Sequence, residues 1–247
     1  LQGYSRHQPA LPLYTEEAAR SALQRLEVRA FDDCFEPVSG MVCRLSRAGH
    51  VLGAASVHLQ CGTHSLLYSG DLGGKDDLLM HAPDDPSGAD VLLLESTYGR
   101  QHFRTAEALT RLARLIVRVV TRGGVVVIPA YAAGPAQQVL RALQQLKRHQ
   151  RIPDVPVCLN SAMAERVCAL YAQQADGHRL SADECTDLMA GVTTVDTTVD
   201  TEQPSADLPR LETPGVLIAV EGEAHGWRMA QHLKTYATDP RNAFAFA

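Results

Sequence analysis

Apolar positions along this 247-residue chain fall into two regimes. In the first hundred residues they form short runs broken by glycine and polar turns. Met41 to Arg47, Ala55 to Gln60 and Ser65 to Tyr68 predict three strands, with Cys61-Gly62-Thr63-His64 as a hairpin-like turn between the last two. Val91 to Leu94 is a continuous apolar run and predicts a short buried strand. Ahead of these, Thr15 followed by Glu16-Glu17 predicts a helix start, running to about Glu27. Leu1 to Thr15 is proline-rich and loop-like, and the acidic stretch from Asp76 to Ala89, with Pro83, Pro86 and Gly88, is turn-rich.

After Gly99 the period changes. Leu109, Leu112, Ala113, Ile116 and Val120 repeat at helical spacing, with Thr105 as the expected cap and Gly123-Gly124 as the stop. Val125 to Ile128 predicts a buried strand, followed by a helix from about Ala136 to Gln150, a strand at Val157 to Leu159 and a helix opened by Ser161. Asp176 to Pro214 is polar and rich in Thr, Asp and Pro; its Thr194-Val-Asp-Thr and Thr198-Val-Asp-Thr duplication is too short to be a structural repeat. Val216 to Val220 predicts a strand, leading to a helix from about Gly226 to Tyr236 and a last strand near Ala243. Strand–helix alternation predicts an α/β fold with a mainly parallel sheet flanked by helices.

Composition narrows the function classes without choosing one. Hydrophobic residues make up 45% and charged residues 21%, an ordinary globular balance. The formal net charge is -5, so any nucleic acid must be bound by a local groove rather than by bulk charge. Cys34, Cys43, Cys61, Cys158, Cys168 and Cys185 form no C-x-x-C pair, which argues against a cysteine zinc site and fits reduced thiols in the cytoplasm. No apolar run approaches the ~20 residues of a membrane helix.

Chemistry concentrates where three strands end. Ala48-Gly-His-Val-Leu-Gly-Ala-Ala55 presents His50 between glycines, Tyr68-Ser-Gly-Asp-Leu-Gly73 presents Asp71, and Leu94-Glu-Ser-Thr-Tyr-Gly99 presents Glu95. Loops at strand ends are where ligands are usually mounted, and His and Asp both ligate hydrolytic metals. Taken singly, His50 reads as a hydrogen-bonded loop histidine, Asp71 as a turn former and Glu95 as a strand-end acid facing solvent. Ser96, Thr97 and Tyr98 either orient substrate or simply form the turn. His58, His64, His81, His102 and His149 lack a paired motif and read as mostly surface residues; His7 is assigned no metal.

Together these motifs resemble the β-CASP group of metallo-β-lactamase-fold proteins, the metal-dependent RNA-processing nucleases. The likeness extends to Gly3-Tyr-Ser-Arg-His, Pro9 to Thr15, Gly123 to Pro129, Asn160-Ser-Ala-Met-Ala164 and Gly226-Trp-Arg-Met229. It implies residues 1–99 as the C-terminal part of a metallo-β-lactamase αββα sandwich and 100–247 as a β-CASP domain truncated at its C-terminal end, with the active site between them. It implies His50 and Asp71 as metal ligands, Asp71 bridging two ions. It makes Glu95 the active-site acid that supports a downstream histidine; Ser96, Thr97, Tyr98 and Arg228 are the candidate substrate-binding residues beside it. The cofactor it implies is zinc, two ions in the full-length protein, bound weakly or not at all by these residues alone. It places the H-x-H-x-D-H motif before Leu1 and further histidine motifs after Ala247, so the chain is expected to be the middle of a longer protein.

Two segments depart from the family pattern. Where G-R-x-Q-E is usual, this chain has Gly134-Pro-Ala-Gln-Gln138; where S-G-M-x-x-G-G-R is usual, it has Glu221-Gly-Glu-Ala-His-Gly-Trp-Arg228. Proline offers no donor to phosphate, and acids at a helix start repel it while suiting the helix dipole. The leading expectation is a zinc-dependent RNA endo- or exonuclease. The alternatives are a catalytically inactive partner that pairs with an active related subunit, and a metallohydrolase of a small ester; the expected partners are RNA and either a second copy of the chain or a related subunit.

Overall fold

A computed structural model describes residues 13–100, 104–195, 211, 214–221 and 227–246, with the side chains of residues 221, 227 and 228 excepted. The Gly3–His7 and Pro9–Pro12 stretches, His102, the second Thr-Val-Asp-Thr copy and the Glu223–Gly226 departure lie outside the described residues.

The described residues form two five-stranded sheets. The first contains β1 (Cys34–Val38), β2 (Met41–Arg47), β3 (Ala55–Cys61), β4 (His64–Tyr68) and β5 (Val91–Leu93), in that spatial order. β1 to β4 are antiparallel neighbours and β5 joins β4 in parallel. The β3–β4 hairpin closes at the expected Cys61–His64 turn. β2, β4 and β5 therefore run the same way, and their C-terminal ends share one edge.

α1 (Glu16–Leu23) precedes this sheet, and Thr15 caps it by accepting from the Ala18 amide. It stops short of the expected Glu27 and buries no residue. β5 corrects a second expectation. Val91 to Leu94 are 49–62% exposed. β5 is the sheet's edge strand, and no described element covers either of its faces, so the apolar run remains open.

The second sheet is entirely parallel. It holds β6 (Val125–Tyr131), β7 (Val157–Asn160), β8 (Val192–Thr194), β9 (Gly215–Glu221) and β10 (Ala243–Phe244), in the order β10-β6-β9-β7-β8. Its helices are α2 (Thr105–Thr121), α3 (Pro135–Arg148), α4 (Ala162–Gln173), α5 (Ala182–Asp187) and α6 (Trp227–Tyr236). Both faces of its central strands are buried. Val126, Ile128, Val216 and Ile218 pack with Ile116 and Val119 of α2 and Leu140 and Leu143 of α3. Val125, Val127 and Leu217 pack with Met229 and Tyr236 of α6. This is why β6 and β9 read as continuous apolar runs rather than alternating ones.

Two local expectations change. Thr105 is the first helical residue of α2 rather than its cap; its hydroxyl donates instead to the Asp76 carbonyl. The polar stretch after Asp176 contains α5 and β8, with α5 opened by a Ser181–Glu184 capping box.

Candidate active site

His50 follows β2, Asp71 follows β4 and Glu95 follows β5, so strand direction delivers all three to one edge of the first sheet. Their loops are hydrogen-bonded to one another. Gly49 and Leu72 form an antiparallel bridge. The Gly73 amide donates to the Ala48 carbonyl at 2.8 Å. A Cβ on Gly73 would stand 1.8 Å from the Gly49 carbonyl oxygen, so only glycine permits this approach. The Leu72 amide donates to Glu95 Oε1 at 3.4 Å, the Thr97 amide to Glu95 Oε2 at 2.7 Å, and the Glu95 amide to Ser69 Oγ at 3.0 Å.

The Glu95 carboxyl is held below its ordinary pKa. The Thr97 amide is the main cause, followed by the Leu72 amide, with a smaller contribution from the nearby charge of His50. His50 and Asp71 are exposed. Ser96, Thr97 and Tyr98 are exposed too, on the turn directly after Glu95. Arg228 is the second residue of α6, and its side chain lies outside the described residues.

The His50 loop also meets the second sheet. Gly134, which follows β6 and opens α3, has φ +88, and a Cβ there would stand 2.6 Å from Val51 Cγ1. Glycine is thus required twice over. Leu52 packs against the cluster of Leu79, Met80, Tyr171, Leu180 and Cys185. The C-terminal edges of β2, β4 and β5 thereby face the loop that leaves the C-terminal edge of β6. In open parallel sheets that edge is the usual site of ligand binding.

Asp77, which the sequence did not single out, fastens this junction. Its Oδ1 accepts from the Leu79 and Met80 amides at 2.7 and 2.8 Å, and its Oδ2 from Gln138 Nε2 at 2.7 Å. Its carbonyl accepts from the Arg179 guanidinium at 2.7 Å. An aspartate just ahead of an apolar run, able to receive amides two and three residues on, was the available signal. The α3 departures also have structural roles here. Pro135 occupies the first helical position, where a missing N–H costs nothing. Gln138 donates to Asp77, where a glutamate would meet like charge.

His58 differs from a plain surface residue. It lies between Ser46 and Ser87, and burial and the nearby Arg44 lower its pKa. Of the six cysteines, all free, Cys34 and Cys61 are exposed and the others buried.

In kind, the donors fit a divalent metal: an imidazole and a carboxylate, exposed and mounted on braced loops. In number they are two, too few for a complete site. Among the described residues no group of three His, Cys, Asp or Glu could hold a metal ion. Both Glu95 oxygens already accept amides, which suits it to bracing these loops more than to coordination. No helix of the described residues is long and apolar enough to cross a membrane.

Residues 136–247 match the Beta-Casp domain model. A ribonuclease of Thermus thermophilus is 31% identical over 243 residues, covering 95% of this chain and 54% of the relative. Cleavage and polyadenylation specificity factor 73 of Drosophila melanogaster and endoribonuclease ysh1 of Schizosaccharomyces pombe are each 32% identical over 162 residues, 64% of this chain; these cover 24% and 21% of the relatives. The chain thus spans about half the length of the first relative and a quarter or less of the others. With three strand-end motifs on one edge and a parallel β-CASP sheet against them, the chain belongs to the β-CASP family of the metallo-β-lactamase superfamily.

Proposed function

We propose that the full-length protein is a zinc-dependent ribonuclease, with residues 1–99 contributing to its metallo-β-lactamase part and residues 100–247 to its β-CASP domain. The observation that carries this reading is the fastening of three loops: the Gly49–Leu72 bridge holds the His50 and Asp71 segments together, and Glu95 braces Leu72. The names of the relatives support RNA as the substrate.

His50 and Asp71 would hold metal. A bound metal pair would activate water for attack on phosphorus and stabilise the charge that develops on the phosphate. Glu95, ionised, fixes the Leu72 and Thr97 amides and so the course of the two loops beside it. Ser96, Thr97 and Tyr98, exposed on the turn after Glu95, would meet substrate approaching that edge. With two donors, these 247 residues alone bind metal weakly and catalyse little. Pro135 and Gln138 have structural roles in α3, and the catalytically silent partner suggested by Pro135 and by Glu221 and Glu223 is the alternative that the experiment below decides.

The test is elemental analysis of the full-length protein beside His50→Ala and Asp71→Ala. About two zinc ions per chain are expected in the wild type, with metal and RNA cleavage lost together in both variants. A wild type that binds metal fully yet cleaves no RNA would overturn the reading.

A further inference from the structure

α2 carries a basic stripe on the side away from its core. Ala113, Ile116 and Val119 are buried against the sheet, while Arg111, Arg114, Arg118 and Arg122 recur at spacings of three and four residues and are all exposed. Arg111 approaches Glu107 at 3.9 Å, and Arg122 donates to the Arg241 and Asn242 carbonyls. Among the described residues, Arg114 and Arg118 have no acidic partner. Beside them Arg151, from the loop after α3, reaches across to donate to Thr110 Oγ at 2.9 Å. Thr110, Ala113, Arg114, Val117, Arg118 and Arg151 line one groove of about 420 Å³. Three guanidinium groups and no carboxylate line it, in a chain whose net charge is -5.

We propose that this groove binds the phosphodiester backbone of single-stranded RNA, as a holding site separate from the candidate active site. Arg114 and Arg118 are one turn apart, about 6 Å along the helix. That is comparable with the spacing of successive phosphates on an extended strand. Guanidinium forks match phosphate oxygens, and Val117, 40% exposed, offers an apolar surface between them. The place in the fold gives the groove its use. Thr105, at the start of α2, is hydrogen-bonded to Asp76, five residues past Asp71. The stripe therefore leads away from the Asp71 loop, reaching Arg118 after about 20 Å of helix. A strand entering or leaving the candidate active site along α2 would meet these arginines in succession. The inference rests on the reading of the protein as an RNA-cleaving enzyme.

The test compares the full-length wild type with the triple variant Arg114→Gln/Arg118→Gln/Arg151→Gln, using RNAs of about 20 and about 6 nucleotides. In the variant, affinity for the long RNA should fall about tenfold, towards that for the short one. Its log–log salt slope should shrink by about 2, at roughly 0.7 per lost phosphate contact. The corresponding triple lysine variant, which keeps the charge, should retain most of the affinity. An unchanged thermal midpoint in both variants excludes misfolding. Long-RNA affinity and salt slope unaltered in the glutamine variant would overturn the proposal. So would loss of polyglutamate binding with RNA binding intact, which would assign the groove to an acidic protein segment. If the wild type cleaves neither RNA, the enzymatic reading fails by itself, whereas the length dependence of binding still decides the groove.

Discussion

Glu95 is kept ionised chiefly by backbone amides, which makes it both a brace and a weak point. Because its folded pKa is depressed, its contribution to stability is complete above the ordinary value of 4.5 and is lost as pH falls through the lower folded value. Acidification below pH 4.5 should therefore release the Leu72 and Thr97 amides before the second sheet opens, seen as early exchange of those two protons. In Glu95→Gln that acid-dependent release should disappear, because those amides are already loosened at neutral pH. At this scale the sequence was informative: His50, Asp71 and Glu95 each sit in a short motif at a strand end, and strand direction alone brings them to one edge. The meeting of Asp77 with Gln138 and Arg179 was not legible. These partners lie 61 and 102 positions from Asp77 in the chain, and no local pattern encodes such a meeting.

Among the elements, α3 depends on one buried amide. Gln137 accepts from the Gly134 amide and donates to the carbonyls of Ala132 and Ala164, joining the end of β6, the start of α3 and the first turn of α4. Gln137→Leu keeps much of the side-chain bulk but strands these groups. It should cost about 2–4 kcal/mol in urea unfolding, since each buried polar group left unmet costs about 1–3 kcal/mol. The long periodic elements were readable because both faces of the parallel sheet are buried. β1, α5 and β8 were not, because each is six residues or fewer and lies in polar sequence, where tertiary pairing outweighs local preference. The buried reading of Val91–Leu94 failed for the converse reason: an apolar run specifies a strand, but not whether anything covers it.

For the molecule as a whole, the Asp77 side chain is one of the polar fastenings between the two sheets, beside Thr105–Asp76 and the Arg179 contacts. Asp77→Ala removes the acceptor for Leu79, Met80 and Gln138 while leaving both sheets their own cores. The expected result is faster hydrogen exchange at the Leu79 and Met80 amides, with exchange in β6 and β9 unchanged. Equal acceleration in all four places would show that the two sheets open as one unit.

The strand order of the second sheet also governs the order of assembly. Val125 of β6 pairs with Gly215 of β9, about 90 positions later, whereas β1 to β4 close as neighbouring hairpins. Contacts so distant along the chain form slowly, and a polypeptide emerging from the ribosome supplies its N-terminal pairings first. β6 must then wait, with Val125 to Ile128 unpaired on both edges, until β9 has been synthesised. Through that interval the nascent chain carries a bare hydrophobic strand, and a chaperone or rapid docking of α2 and α3 has to shield it from neighbouring chains.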